Sequence, residues 1–378
     1  MIIFKCLKEK INKMSNRPLS IPGYVPKDNV SAVNTAEKTA YREDPKNPYQ
    51  RFEFTGKASE YFGIWIVCVL LTAITLGIYS PWAKVRRNRY FYGNTKFANH
   101  TFDYHATGGQ IFLGRLVVML GVIIYSVIAR LAAPIAFLLL FILLFLSPYL
   151  IKRGIRFNAR MTSYRNVRFD FTGNYGGAFV AFIIGPVIAA LSLSLLLPVT
   201  SRWLWRYLAD NLKYGAKPFH SDIHLKYLYG AWFKCLLIFM GGLIIGTLFI
   251  YLLLHPVASI MHFALMISYI MFFIVLFAYR VYARNIIISS LIFDKAHPVK
   301  SDISAPRYMW ILVSNIFVTV LTLGLMRPWA AVRASKYTTE RIALQFNGDW
   351  QNFYHEVDEQ VSAVGAEYID LEGIDLAF

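Results

Sequence analysis

The sequence predicts an all-α polytopic membrane protein with internal repeats, and three observations carry that expectation. Over half of the residues are apolar and only 16% are charged, against about 25% charged in soluble domains; mean hydropathy is +0.44. The apolar residues gather into runs one or two membrane thicknesses long, about 20 helical residues covering about 30 Å. A motif built on proline, tryptophan and arginine recurs along the chain on a fixed ruler.

Residues 1–13 lack the apolar core and cleavage site of a signal peptide. They read either as a short basic amphipathic helix or as the product of an upstream start, with Met14 the true first residue. Residues 14–50 are polar and dotted with Pro18, Pro22, Pro26, Pro45 and Pro48, so 1–50 is expected to be a disordered cytoplasmic tail. Phe52-Glu53-Phe54-Thr55-Gly56 alternates like a short extended piece with a glycine turn and opens a repeated-unit transmembrane domain, 51–350.

That domain holds about seven apolar segments. Residues 61–80, 177–197 and 308–327 each match one membrane thickness. Residues 110–147 and 232–279 are twice as long, with turn signals at Ala133-Pro134 and His255-Pro256, and predict helical hairpins. If the three short runs also cross, segments 81–109 and 148–176, with five and six Lys/Arg, lie opposite the N-terminal tail. The positive-inside rule disfavours that arrangement. The alternative is four full spans plus three re-entrant elements, with every basic segment cytoplasmic. Gly185-Pro186 is then a turning point, and Thr75-Leu76-Gly77 a weaker one, although bent backbone at membrane depth needs shielding by protein. Both arrangements stand at this point. Residues 351–378 hold seven Asp/Glu and no Lys or Arg; this acidic C-terminal tail is either solvated or docked on the basic segments.

The recurring motif runs from Leu76 through Pro81-Trp82 to Arg89-Tyr90 and returns from Leu323 through Pro328-Trp329 to Lys336-Tyr337. Midway, Pro198 is followed by Arg206, Tyr207 and Asn211 at the steps that lead from Pro81 to Arg89, Tyr90 and Asn94. The pairs Phe52 and Phe169, Pro81 and Pro198, and Phe102 and Phe219 share one offset of 117 residues, the mark of an internal duplication. Pro148 fits the same ruler, with Arg156 and Phe169 in step. A weaker unit spans Arg280 to Ile303, where Ser301-Asp302-Ile303 echoes Ser221-Asp222-Ile223. The basic segments are therefore 81–109, 148–176, 198–230, 280–306 and 328–350.

Proline stops the apolar helix before it, and Trp82 and Trp329 beside it suit interfacial anchoring. Beyond it, Arg86, Arg89 and Tyr90 share one helical face. Their counterparts are Arg156, Arg206, Tyr207, Arg333 and Lys336. Such a face can contact an anionic lipid or solute, at about 1 kcal/mol per Lys or Arg near the surface; the plainer reading is that the arginines fix orientation. Asn94, Asn211 and Asn158 suit helix-end capping.

Net charge is +17, but the charges lie between apolar runs, where cytoplasmic loops and anionic headgroups account for them without nucleic acid. The expected partners are membrane lipids, mainly anionic; no protein partner is indicated. Cys6, Cys68 and Cys235 are widely spaced and form no metal-ligand motif, so neither disulfide nor zinc is expected. His220-Ser221-Asp222-Ile223-His224 lacks further ligands. No phosphate-binding loop, nucleophile elbow or metalloprotease motif is present, so no catalytic residue, metal or cofactor is assigned. The apolar cores contain no Asp or Glu, which counts against proton- and sodium-coupled carriers. Arg115, Arg130 and Lys234 are near enough to helix ends to snorkel, leaving His262 and Asn315 as the strongly polar residues within spans.

With Phe52-x-Phe54-x-Gly56, Tyr61-Phe62, Thr75-Leu76-Gly77-Ile78-Tyr79-x-Pro81-Trp82, Arg86, Arg89-Tyr90 and Asn94 in place, the chain resembles the YjgN family (DUF898) of bacterial inner-membrane proteins over residues 50–350. The resemblance implies a multi-pass helical protein of the bacterial inner membrane and brings no substrate or catalytic residue. The functional expectation is passage or handling of an anionic solute or lipid. The alternatives are a non-transporting scaffold or assembly factor, and a membrane enzyme, for which no nucleophile-and-base pair stands out.

Overall fold

A computed structural model describes residues 49–254, 260–348 and 353. The expected tail over 1–48, the His255-Pro256 turn, the His262 side chain and the acidic segment, Phe353 apart, lie outside the described residues.

The chain is not all-α. Eleven short strands form one antiparallel sheet in the order β1-β11-β10-β9-β8-β7-β6-β5-β4-β3-β2. Only Phe52 separates β1 (Tyr49–Arg51) from β2 (Glu53–Phe54). The first pairs with β11 and the second with β3, so the sheet closes on itself into a barrel. All the strands except β1 and β2 lie within the basic segments, where alternations such as His100-Thr101-Phe102-Asp103-Tyr104 and Val167-Arg168-Phe169-Asp170-Phe171 place every second residue on one face.

Five repeats build the ring, each a helical hairpin followed by strands. The first runs α1 (Ala58–Ile74), α2 (Ser80–Gly93), β3 (Thr95–Phe97), β4 (His100–Tyr104). The second is α3 (Gly108–Leu131), α4 (Ala133–Arg160), β5 (Thr162–Tyr164), β6 (Val167–Phe171). In the third, α5 (Tyr175–Phe179), a π-helical turn (Val180–Ile184) and α6 (Gly185–Leu191) precede α7 (Leu197–Asp210), β7 (Leu212–Tyr214) and β8 (Lys217–Ser221). The fourth comprises α8 (Leu225–Leu254), α9 (Ile260–Ser289), β9 (Leu291–Phe293) and β10 (His297–Ser301). The fifth has α10 (Ala305–Leu321), α11 (Arg327–Thr339) and β11 (Ile342–Gln345), with β1 and β2 completing the circle. Each first helix begins four residues after the end of the preceding strand.

Local chemistry explains the turns. Ala98-Asn99 and Arg165-Asn166 have positive φ at both central positions, the two-residue turn whose twist matches a hairpin. The β9–β10 turn has an extra residue, since Phe293 pairs with His297, and this slips the repeat ruler by one. Phe277 stands where the other repeats have proline.

The prolines act at helix starts rather than helix ends. Pro81, Pro198 and Pro328 occupy the first turn of α2, α7 and α11, where the missing N–H has no intrahelical partner to lose. Pro148 lies inside α4, whose first half prolongs the same helix outward. All four are fully buried. Gly185-Pro186 is not a turning point either: the chain stays helical through it, with the π-helical turn ahead of Pro186. The reversals come at Leu76-Gly77, Leu193-Ser194 and Leu323-Gly324, all at positive φ.

Both legs of every helical hairpin attach to hydrogen-bonded neighbours in the barrel: Phe54 pairs with Thr95, Tyr104 with Thr162, Phe171 with Leu212, Ser221 with Leu291, and Ser301 with Ile342. No hairpin therefore delivers the chain to the opposite side. Among the described residues four helices are long and apolar enough to span a membrane, in α3, α4, α8 and α9; the helices Ala58–Ile74, Tyr175–Leu191 and Ala305–Leu321 are shorter. The Arg115 guanidinium donates to Ser80 Oγ at 2.5 Å, placing the start of α2 beside the eighth residue of α3. Sixteen residues of α3, about 24 Å, continue beyond that point. The first hairpin therefore reverses about 24 Å short of the far end of α3. Every basic segment lies on the barrel side, the arrangement that the positive-inside rule favours for a cytoplasmic face.

The barrel interior is filled. Phe97, Tyr164, Tyr214, Phe293 and Leu344 occupy one equivalent position per repeat, and Phe52, Phe102, Phe169, Phe219 and Val299 pack against them. Tyr164 donates its hydroxyl to the carbonyl of Phe97 at 2.7 Å, and Tyr214 donates to that of Tyr164 at 3.0 Å. Small barrels are filled by side chains in this way.

Candidate functional site

The residues singled out by the repeat fall on the second helices of four of the five hairpins. Eight residues after each anchor proline come Arg89, Arg156, Arg206 and Lys336. Arg89 donates to the carbonyls of Tyr104 (3.3 Å) and Ala106 (3.1 Å), which tie α2 to the end of β4 and the link to α3. Arg156 meets Asp170 at 3.3 Å, where Arg160 also lies at 3.0 Å. Arg206 pairs with Asp210 at 3.2 Å, and Lys336 lies 3.9 Å from Glu340. Burial pushes the Asp170 carboxyl up, but hydrogen bonds from Arg160, the Phe171 N–H and Arg156 outweigh it and hold the carboxyl below its ordinary value.

The tyrosines one step on are buried seals. Tyr90 donates to the carbonyl of Lys57 at 2.7 Å and Tyr207 to that of Asn174 at 3.0 Å, each the residue that begins the hairpin's first helix. Asn94 and Asn211 end their helices and donate back to the carbonyls of Tyr90 and Tyr207. Asn158 instead lies within α4 and donates to Gly154. Arg333 donates to Ser314 Oγ (2.7 Å) and Asn315 Oδ1 (3.2 Å) and lies over the Trp329 ring, so buried Asn315 braces a hairpin. Trp82 packs between the start of α3 at Gly108 and Phe112.

One group of cations keeps its charge for something else. Lys84, Arg86 and Arg87 on α2 are exposed and have no acidic partner among the described residues, Arg86 lying over the Tyr79 ring and Arg87 over Phe91. They follow the apolar tip of the first hairpin, with Ile74, Leu76 and Ile78 exposed, by one to two helical turns. The other short hairpins carry the same apolar tips: Leu76, Leu193 and Leu323 are 93%, 87% and 93% exposed. A protruding apolar tip below a basic collar has the chemistry of an element that enters the headgroup and upper acyl region of an anionic leaflet.

Sequence reasoning gave Arg115 as a snorkelling residue only, whereas it donates to Ser80 at the start of α2, and it missed two further arginines. Arg202 Nε and Arg284 Nη1 are buried without a hydrogen-bond partner among the described residues. Comparing positions four after the anchor would have exposed the first: Val85, Val281 and Val332 are buried valines there. Among the described residues no group of three or more potential metal ligands occurs; His220 lies 3.8 Å from Asp210 and His224 3.4 Å from Asp222.

The profile of the family described as "Bacterial protein of unknown function (DUF898)" matches residues 49–371. The chain is 26% identical over 361 residues to "Inner membrane protein YjgN" of Salmonella typhimurium, covering 81% of this chain and 91% of that one. It is 34% identical over 160 residues to "Inner membrane protein YjgN" of Escherichia coli K12, covering 42% of this chain and 40% of that one. No solved structure matches.

Proposed function

This multi-pass protein of the bacterial inner membrane belongs to the DUF898 family, and we propose that it handles anionic lipid at the cytoplasmic leaflet. The carrying observation is the first hairpin, where exposed Ile74, Leu76 and Ile78 precede the unpaired cations Lys84, Arg86 and Arg87. The filled barrel interior favours handling over passage, because Phe97, Tyr164, Tyr214 and Phe293 are buried together in one cluster. The same filled barrel also suits a non-transporting scaffold, and a stoichiometric protein partner that co-purifies from membranes would favour that reading.

The test is lipid selection by the purified protein in detergent holding equal phosphatidylglycerol and phosphatidylcholine, read by native mass spectrometry. We expect phosphatidylglycerol to be enriched, and the Lys84→Gln/Arg86→Gln/Arg87→Gln variant to lose that enrichment several-fold. Equal binding of both lipids by the wild-type protein removes the proposal.

A further inference from the structure

We infer that one phospholipid of the cytoplasmic leaflet is held in a defined seat between the third and fourth repeats, an inference that rests on the lipid-handling reading. An apolar cavity of about 150 Å³ opens where the tip of the third hairpin, Leu193 to Leu197, meets α8 and α9. Trp232, Leu236 and Phe239 line it from α8, and Phe272, Val275 and Leu276 from α9. It is smaller than the roughly 300–1,000 Å³ of small-molecule sites, and suits a stretch of hydrocarbon chain. Toward the barrel it reaches Tyr279, whose hydroxyl lies 3.3 Å from Ser201 Oγ.

Arg202 follows Ser201 on α7. Its place in the repeat is taken by a buried valine in three of the other four, Val85, Val281 and Val332. Those valines pack around the junction between the last strand of their repeat and the first helix of the next: Val85 joins Tyr104 and Ala106, Val281 joins Ile303 and Ala305, and Val332 joins Phe54 and Tyr61. In those three repeats the place is aliphatic; the second repeat has Lys152 there and the third Arg202, whose Nε is buried without a hydrogen-bond partner among the described residues. A guanidinium so placed calls for an oxyanion. Arg202 stands five residues nearer the barrel along α7 than Leu197, which lines the cavity, so a lipid held here would set its charge on the barrel side and its hydrocarbon toward the hairpin tip. The seat assigns the headgroup phosphate to Arg202 and part of one acyl chain to the cavity.

The experiment is retention of phosphatidylglycerol by the full chain through repeated detergent exchange, counted by native mass spectrometry. Arg202→Val introduces the residue that three of the other repeats carry there and is expected to fold at least as well as wild type. Leu236→Trp fills the cavity without touching the charge. We expect one tightly held phosphatidylglycerol in wild type, a tenfold or greater loss of its occupancy in either variant, and no protection from added inorganic phosphate. Exchangeable enrichment of phosphatidylglycerol over phosphatidylcholine stays at the wild-type level in both variants. Wild-type occupancy of the tight lipid in either variant, or no tight lipid in wild type, overturns the seat while leaving the general lipid preference standing; loss of that preference in wild type refutes the broader function instead.

Discussion

Tyr90 donates its hydroxyl hydrogen to the main-chain oxygen of Lys57, 2.7 Å away, and so ties α2 to the residue that begins α1. Tyr207 makes the same link to Asn174 in the third repeat. Each link closes a helical hairpin at its barrel end. The glycine beside it is required sterically, because a Cβ on Gly173 would lie under 3.0 Å from the Tyr207 ring and hydroxyl.

Tyr90→Phe is expected to lose about 1 kcal/mol through the missing hydrogen bond. Gly173→Ala is expected to lose about 1–3 kcal/mol through overpacking. Thermal unfolding in detergent measures both, and a wild-type midpoint for Gly173→Ala would contradict the seal.

How much of this was legible follows from which residues bear the packing. Pro81, Pro148, Pro198 and Pro328 are fully buried at equivalent places, so their spacing carried the repeat into the sequence. The strands were hidden because they span two to five residues, all but β1 and β2 within basic segments, and turns such as Ala98-Asn99 and Arg165-Asn166 contain no glycine. Without them the barrel could not be foreseen, and all-α was the expectation. The fourth repeat was faint because Phe277 replaces proline and the turn before His297 is one residue longer. Among candidate site residues, chemistry was legible but partners were not: the carbonyls that receive Arg89 belong to Tyr104 and Ala106, 15 and 17 residues further along the chain.

The barrel is latched at its seam by charge. Arg51 donates to both carboxylate oxygens of Asp302, at 2.9 and 3.3 Å, with Arg341 at 3.5 Å. The Arg51 hydrogen bond leads the effects that hold the Asp302 carboxyl below its ordinary value. A depressed folded pKa contributes stability that is present above the ordinary aspartate value, near 3.9, and is lost as pH falls through the lower folded value. Both groups are partly exposed, so Asp302→Ala is expected to cost about 1 kcal/mol or less overall. Its signature is local: amide exchange of β1 should quicken in the variant at neutral pH, and in wild type only below pH about 4. Unchanged exchange in β1 would dismiss the latch.

Tyr164 sits in the barrel interior, 4% exposed, with its hydroxyl on Phe97. Tyr164→Ala removes an aromatic ring from a filled core and is expected to lower stability by about 3–5 kcal/mol. Tyr164→Phe, which keeps the ring, should lose about 1 kcal/mol. Equal effects of the two on thermal unfolding would mean that the ring is not packed as described.

The most direct test is the sidedness of the strand turns. In a chain with Cys6, Cys68 and Cys235 replaced by alanine, single cysteines at Asn99, Asn166, Ala216, Lys295 and Ala132 are probed with a membrane-impermeant thiol reagent in intact spheroplasts and inverted vesicles. The account predicts labelling of the first four only in inverted vesicles, and of Ala132, between α3 and α4, only in spheroplasts. Labelling of any one strand turn from outside would contradict a single closed sheet on the cytoplasmic face.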